Sequence, residues 1–116
     1  MGPYLKKEID KNNYMSKFGE LIDSKVPVLF SFYTDWDEPS KNTNNVLKDV
    51  ATSVGDQGKV IKIDVEKNKQ LADALRIKDL PTLILYKNGE MVWRKSGEEN
   101  ANTLIALMQQ HLQEEY

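Results

Sequence analysis

The sequence predicts an α/β fold in which helices cover both faces of a mixed central sheet. Short β-branched and aromatic runs alternate with segments whose apolar residues recur at helical spacing, and the predicted order is α-β-α-β-α-β-β-α. The pair Asn88-Gly89 separates the last two strand-like runs and indicates a hairpin, because both residues tolerate positive φ. The length of 116 residues fits one core, so we expect residues 1–116 to form a single domain.

The first half of the chain is predicted to contain a helix, a strand, a second helix and a second strand. Apolar residues between Ile9 and Asp23 fall on one helical stripe. The nearly continuous apolar run Val28–Tyr33 indicates a strand that is buried on both faces. Helical spacing returns from Pro39, and Gly55 stands where this helix is expected to end. The run Val60–Val65 is the next predicted strand.

The second half is predicted to contain a short helix, a hairpin and a closing helix. Asn68–Leu75 has helical spacing, and Pro81 follows it as a breaker. The hairpin strands are Thr82–Lys87 and Glu90–Lys95. The closing helix is recognised by an amphipathic stripe of Leu104, Leu107, Met108, His111 and Leu112. Because strands and helices alternate, we expect right-handed parallel crossovers with an antiparallel edge from the hairpin.

Composition argues against several classes of partner. The chain has 16 basic and 18 acidic residues, a formal net charge of -2, so no nucleic acid or anionic membrane is expected to bind it. The longest apolar run, Val26–Phe30, is far shorter than the ~20 residues of a membrane span. The first residues lack the pattern of a signal peptide, and we expect a cytoplasmic protein. The oligomeric state is left open.

An acidic cluster follows the first predicted strand, but it does not predict a metal site. Asp35, Asp37 and Glu38 offer too few carboxylates for Ca²⁺, which takes six to eight oxygen ligands, and their spacing is not that of an EF-hand. We interpret the cluster as a solvated turn. No metal and no cofactor is expected.

Four short motifs resemble the thioredoxin family. They are Trp36-Asp37-Glu38-Pro39-Ser40-Lys41 after the first buried strand, Leu80-Pro81-Thr82 before the hairpin, Lys87-Asn88-Gly89-Glu90 at its turn, and Gly97. The resemblance extends from about Tyr14 to Leu112 and implies the thioredoxin fold. It also implies a protein or an extended peptide segment as the partner.

The resemblance indicates which residues of this chain occupy the positions of the family's two active-site cysteines. In the family the tryptophan precedes Cys-Gly-Pro-Cys-Lys, so Asp37 and Ser40 stand where the two active-site cysteines would be, and the chain contains no cysteine. Disulfide exchange requires a thiolate, which neither a carboxylate nor a hydroxyl can replace. The family's buried acid is matched by Ser31, and the lysine beside that acid by Lys62. The resemblance therefore implies an atypical member without intrinsic disulfide oxidoreductase activity.

Neither residue at the cysteine positions is expected to be catalytic. Asp37 lies where a helix begins, and we interpret it as the N-cap of that helix. A nucleophilic Ser40 would need an adjacent base, but the single histidine, His111, lies in the closing helix, far from this loop in the expected fold. Changes at Ser31 and Glu38, besides the two cysteine positions, favour natural loss of redox function over laboratory replacement of cysteines alone.

The remaining landmarks predict a binding surface. In the family the residue before the matching proline presents backbone groups to an extended peptide, the proline is cis and the tryptophan forms one wall. At the matching positions of this chain, the resemblance implies a surface that comprises Trp36, Leu80, Pro81 and Gly97. The leading hypothesis is a redox-inactive module that binds a protein or peptide there. The alternatives are an oxidoreductase whose cysteines were replaced or whose thiol comes from a partner chain, and a purely structural scaffold.

Overall fold

A mixed sheet organises the computed structural model, which describes residues 17–112. Within that range the sheet has four strands in the order β2-β1-β3-β4. The strands are β1 (Val28–Tyr33), β2 (Lys59–Asp64), β3 (Thr82–Lys87) and β4 (Glu90–Ser96). β1 runs parallel to β2 and antiparallel to β3, which runs antiparallel to β4. The predicted mixed sheet is confirmed.

Helices pack on both faces of this sheet. Helix α1 covers residues 17–22 of the described range, and the part of the predicted first helix between residues 9 and 16 lies outside it. The other helices are α2 (Glu38–Val54), α3 (Lys69–Ala74) and α4 (Ala101–Gln110). None of the helices in the described part of the chain is long and apolar enough to cross a bilayer.

Alternating side chains of the central strands form two cores. One face packs against α1 and α3 and contains Phe18, Val28, Phe30, Phe32, Ile63, Leu71, Ile84 and Tyr86. The opposite face packs against α2 and α4 and contains Leu29, Leu47, Val50, Val54, Leu83, Leu85, Leu104 and Met108. Because successive strand side chains point to opposite faces, β1 supplies both cores and is buried on both faces, as predicted.

Two details differ from the sequence-based expectation. β3 is antiparallel to β1, although a helix precedes it. The six-residue helix α3 spans only about 9 Å and cannot carry the chain back along a strand about twice as long, so β3 begins at the end of the sheet where β1 and β2 finish, and Thr82 pairs with Phe32. Helix α4 ends at Gln110, so His111 and Leu112 lie beyond it, and both are only partly buried.

Helix α2 has a polar first half and an apolar second half on its buried face. Ser40 and Thr43 are buried at its start, whereas Leu47, Val50 and Val54 fill the core further along. Gly55 ends the helix at φ 54°, a value that favours glycine, and its N–H donates to the carbonyl of Ala51. Hydroxyl groups rather than hydrocarbon therefore lie beneath the first turns of α2.

Candidate functional site

The residues at the two cysteine positions belong to the first turn of α2. Asp37 is the N-cap, and its Oδ2 accepts a hydrogen bond of 3.0 Å from the backbone N–H of Ser40. This geometry confirms the capping interpretation, because the carboxylate satisfies a backbone donor that the helix itself leaves unpaired. The negative charge also faces the positive end of the helix dipole.

Ser40 is fully buried rather than presented to solvent. Its exposed fraction is 0%, and its Oγ lies 3.5 Å from the backbone nitrogen of Thr34, which donates to it. His111 lies at the opposite end of the sheet: the ammonium of Lys87 donates to the His111 carbonyl, and Lys87 follows the β3 residue that pairs with Val28 at the start of β1. The histidine is therefore too distant to activate Ser40.

Trp36 is an exposed indole in the loop between β1 and α2. Its exposed fraction of 67% is the larger of the two values for exposed large hydrophobic residues within the described range. Its Nε1–H donates to Glu66 Oε2 at 2.8 Å. The Glu66 N–H in turn donates to Asp64 Oδ1 at 2.9 Å, so the loop that follows β2 holds the indole in place.

Glu66 is a residue that the sequence analysis missed. It lies two residues beyond the end of β2, at the same sheet edge as the end of β1, because the two strands are parallel and Tyr33 pairs with Asp64. A polar residue just after a parallel strand is the signal that could have singled it out.

Leu80, Pro81 and Gly97 form a second part of the site. The Leu80–Pro81 peptide bond is cis, Pro81 is buried and Leu80 is partly exposed. The Gly97 N–H donates to the Pro81 carbonyl at 2.7 Å. Gly97 has φ 100°, and no heavy atom beyond Gly97 and its two chain neighbours lies within 4 Å of the place where a Cβ would stand. The surface beside Pro81 is therefore open at Gly97.

Side chains hold the loop before Pro81 in place. The guanidinium of Arg94 donates to the carbonyl of Leu75 at 2.7 Å and to that of Arg76 at 3.0 Å. Thr82 Oγ1 donates to the carbonyl of Asp79 at 2.6 Å. The loop is therefore tied to β4 on one side and to the start of β3 on the other.

The sheet brings both parts of the site to one edge. Thr82, directly after Pro81, pairs with Phe32 near the end of β1 and with Ser96 at the end of β4. Trp36 follows β1 and Gly97 follows β4. All four predicted surface residues consequently lie at the same end of the sheet, where the loops after β1, before β3 and after β4 meet.

Negative charge surrounds the end of β1. The pKa of Tyr33 is raised above its ordinary value of 10.0, first by burial and then by the carboxylates of Asp35 and Asp64. The ammonium of Lys62 lies 5.8 Å from the centre of the Tyr33 ring and offsets part of that charge. No group of three or more His, Cys, Asp or Glu residues between 17 and 112 could hold a metal ion.

Ser31 lies beneath this surface, inside the core. Its exposed fraction is 0%, as predicted for the position of the family's buried acid, and its Oγ has no hydrogen-bond partner among the described residues. Its register partners are Lys62 on β2 and Leu83 on β3. Thr34 and Thr43 also bury hydroxyl oxygens without a partner in that range.

Known proteins with similar sequences and structures are thioredoxins. The thioredoxin family model matches residues 7–110. Thioredoxin Y, a chloroplastic protein of Oryza sativa subsp. japonica, is 38% identical over 104 residues, which are 89% of this chain and 62% of the rice protein. The chain thus spans less than two thirds of that relative. A thioredoxin-like protein of Synechocystis is 36% identical over 95 residues, 81% of this chain and 90% of that protein.

A solved structure supports the same assignment. A thioredoxin variant from Halobacterium salinarum has a TM-score of 0.76 and 28% identity, and the match covers 84% of this chain and 85% of that chain. The fold is therefore the predicted thioredoxin fold. The chain belongs to the thioredoxin family and carries no cysteine.

Proposed function

We propose that this chain is a redox-inactive thioredoxin-like module that binds an extended segment of a protein at the surface of Trp36, Leu80, Pro81 and Gly97. The observation that carries the proposal is the exposed indole of Trp36, held by Glu66 beside two positions that lack sulfur. The landmarks of a binding surface are present, whereas the reactive atoms of disulfide exchange are not.

The residues at the cysteine positions support the redox-inactive part of the proposal. Disulfide exchange proceeds by attack of a thiolate on a disulfide sulfur, and the chain has no cysteine to supply it. The Asp37 carboxylate is engaged in capping α2, and Ser40 is buried without a nearby base. Both side chains have structural roles that account for their presence.

Trp36 has the properties of a binding residue. Tryptophan is enriched among the side chains that contribute most to interfaces, because it buries a large apolar area and keeps one polar group. The hydrogen bond to Glu66 restricts the indole before any partner arrives. Less side-chain entropy is therefore lost on binding than for a freely rotating ring.

The backbone of Leu80 supports binding of an extended segment. Neither its N–H nor its carbonyl hydrogen-bonds to another group among residues 17–112. A partner chain lying beside Leu80 in an extended conformation could pair with both groups, as in strand addition. Gly97 leaves the adjacent space free of side-chain atoms.

The charge around Trp36 favours a basic partner segment. Asp35, Asp64 and Glu66 lie near the indole or near Tyr33, and Lys62 supplies one opposing charge. A lysine or arginine of the partner could contact both the carboxylates and the indole face. We expect its association rate to fall as salt is added.

Partner capture with matched variants tests the proposal. The immobilised chain, its Trp36→Ala variant and its Met91→Ala variant are exposed to extract from the source cells in the presence of a reductant. Met91 is the control because it is the other exposed large hydrophobic residue of the described range, 44% exposed, and it lies on β4 outside the proposed surface. A specific partner should be retained by the wild type and by Met91→Ala, and lost by Trp36→Ala.

Two outcomes would contradict the proposal. Equal capture by Trp36→Ala and the wild type would show that the indole is not part of the interface. Loss of capture by Met91→Ala to the same extent as by Trp36→Ala would show that retention of the partner does not depend on the proposed surface. Circular dichroism of each variant checks that the fold is retained.

The cellular location is part of the proposal as well. The sequence predicts a cytoplasmic protein, whereas the rice relative is named as chloroplastic. Fractionation of the source cells, followed by immunodetection, decides between the cytoplasm and an organelle.

A further inference from the structure

A cleft lies between helix α2 and strand β2, away from the surface of Trp36 and Pro81. Its volume is about 170 Å³. Its lining consists of side chains one helical turn apart on α2 and two alternate residues of β2, namely Asn44, Leu47, Lys48, Ala51, Val60 and Lys62. β2 is an edge strand of the sheet within the described residues, so the cleft opens to solvent along that edge.

The cleft has a polar end and an apolar end. Helix α2 connects two parallel strands, so it runs in the opposite direction to β2. Its early residue Asn44 therefore lies towards Lys62, and its later residue Ala51 lies towards Val60. With Leu47 between them, the lining changes along its length from an amide and an ammonium to hydrocarbon.

The polar end contains a side-chain amide and an ammonium group that form no hydrogen bond or ion pair accounting for all of their polar atoms within the described residues. Asn44 Oδ1 is buried and has no hydrogen-bond partner among the described residues. Ser31 pairs in register with Lys62 and faces the same side of the sheet, but it is fully buried and does not line the cleft. Neither Lys48 nor Lys62 forms an ion pair with another residue in the described part of the chain, and the ammonium of Lys62 lies 5.8 Å from the centre of the Tyr33 ring. Buried polar atoms normally find hydrogen-bond partners, so the unpartnered side-chain amide of Asn44 favours a polar ligand.

Size and charge together define the class of ligand. An apolar cavity of about 150 Å³ holds one benzene ring, whereas clefts for larger metabolites measure about 300–1,000 Å³. Two ammonium groups without an ion-pair partner among the described residues favour an anion, and the floor of Leu47, Ala51 and Val60 favours hydrocarbon. A nucleotide is too large for this cleft, and an inorganic anion would leave the apolar end empty.

We propose that the cleft binds a small hydrophobic monocarboxylate, an acid with one aromatic ring or a short aliphatic chain. The carboxylate accepts hydrogen bonds from the ammonium of Lys62 and from the amide of Asn44, which can rotate to present Nδ2. The hydrocarbon lies on Leu47, Ala51 and Val60. This site does not depend on the proposed binding of an extended segment, and either can fail without the other.

Titration of the ¹⁵N-labelled full chain with 3-phenylpropionate tests the site. We expect saturable shifts of the backbone resonances of Asn44, Leu47, Ala51 and Val60, with a dissociation constant on the order of 1 mM for a ligand of this size. The alcohol 3-phenylpropan-1-ol has the same ring without the charge and should bind more weakly. Acetate has the charge without the ring and should produce no saturable shifts.

Three variants of the chain make the test specific. Lys62→Met keeps the aliphatic stem and removes the charge. It should weaken the binding of 3-phenylpropionate by roughly threefold to fivefold, which is the range expected for loss of a partly exposed ion pair. Lys59→Met removes an exposed lysine from the same strand outside the cleft and should leave the affinity unchanged. Ala51→Phe places a ring in the cleft and should abolish binding, because Ala51 is exposed and the fold tolerates a larger side chain there.

Any of three results would overturn the proposal. One is the absence of saturable shifts at tens of millimolar ligand. Another is equal affinity for the acid and the alcohol, which would mean that the lysines do not recognise the carboxylate. The third is binding that Ala51→Phe leaves intact, because the ligand would then lie elsewhere. The heteronuclear spectrum of each variant shows whether it is folded.

Discussion

Placing a carboxylate at Ser31 tests the electrostatics of the core beneath the site. The Ser31 side chain is fully buried, and its Oγ has no hydrogen-bond partner among the described residues. A carboxyl group there would lose its hydration, and the neighbouring Lys62 would compensate only in part because its own side chain is exposed. We therefore expect Ser31→Asp to be destabilising whenever the new carboxyl is ionised.

The magnitude follows from the expected pKa of the new group. A rise of about two units above the unfolded value of about 3.9 corresponds to a loss of about 3 kcal/mol in the free energy of unfolding. Because the folded pKa is raised, the native state binds more protons than the unfolded state between the two pKa values, and stability falls as pH rises through that window. The decrease in the free energy of unfolding should be small near about pH 3.5 and should reach its full value by about pH 7.

Urea denaturation followed by circular dichroism measures this effect. The midpoint of Ser31→Asp should fall well below that of the wild type at neutral pH and approach it in acid. Ser31→Asn is the matched control, since it adds a side chain of similar size without charge, and its effect should not vary with pH. A neutral-pH midpoint for Ser31→Asp equal to or above that of the wild type would refute the reasoning.

Three further predictions concern the neighbouring positions. Asp37→Ala removes the N-cap of α2 and should lower the free energy of unfolding by about 1–2 kcal/mol in urea titrations, whereas Asp37→Asn, which keeps a capping oxygen, should cost less than half of that. The double variant Asp37→Cys/Ser40→Cys should reduce insulin disulfides only weakly, because Ser31 replaces the family's acid, and turnover matching an ordinary thioredoxin would contradict this. Asp64→Asn should lower the pKa of Tyr33 towards its ordinary value in an NMR titration that resolves the Tyr33 ring from the other four tyrosines, since the Asp64 carboxylate helps to raise that pKa; an unchanged Tyr33 titration would exclude that carboxylate as a cause.

Locally encoded parts of the fold could be predicted from the sequence. Val28–Tyr33 was expected as a strand buried on both faces, and β1 has those bounds. The hairpin was expected from Asn88 and Gly89, which have φ values of 52° and 83°. The cap at Asp37 and the glycine at the end of α2 were also recognised. In each case a single residue or a short run determines the backbone conformation.

Long-range contacts could not be predicted in the same way. The hydrogen bond from Trp36 to Glu66 joins residues 30 positions apart, and nothing in either local segment specifies it. The direction of β3 depends on the path of the chain around α3, and alternation of elements suggested a parallel strand instead. The observed end of α4 at Gln110 differs from the predicted one, because the apolar stripe continues to His111 and Leu112 beyond the last helical residue.

The candidate surface was predicted from resemblance rather than from local physics. Residues Leu80, Pro81 and Gly97 are brought together by pairing between β3 and β4, and the hydrogen bond from Gly97 to Pro81 depends on that pairing. The cleft beside Lys62 was not predicted at all, because it exists only where α2 passes over the edge of β2. Both features result from packing of elements that are distant in sequence.

The affinity of a recovered partner for Trp36→Ala tests the central claim most directly. Binding of the partner to the wild type, to Trp36→Ala and to Met91→Ala is measured in reductant by surface-immobilised titration. Loss of a tryptophan that contributes strongly to an interface costs at least about 2 kcal/mol, so Trp36→Ala should weaken binding by roughly 30-fold while Met91→Ala changes it by less than about twofold. Equal affinities of the wild type and Trp36→Ala would contradict the account, because the binding surface would then lie elsewhere on the molecule.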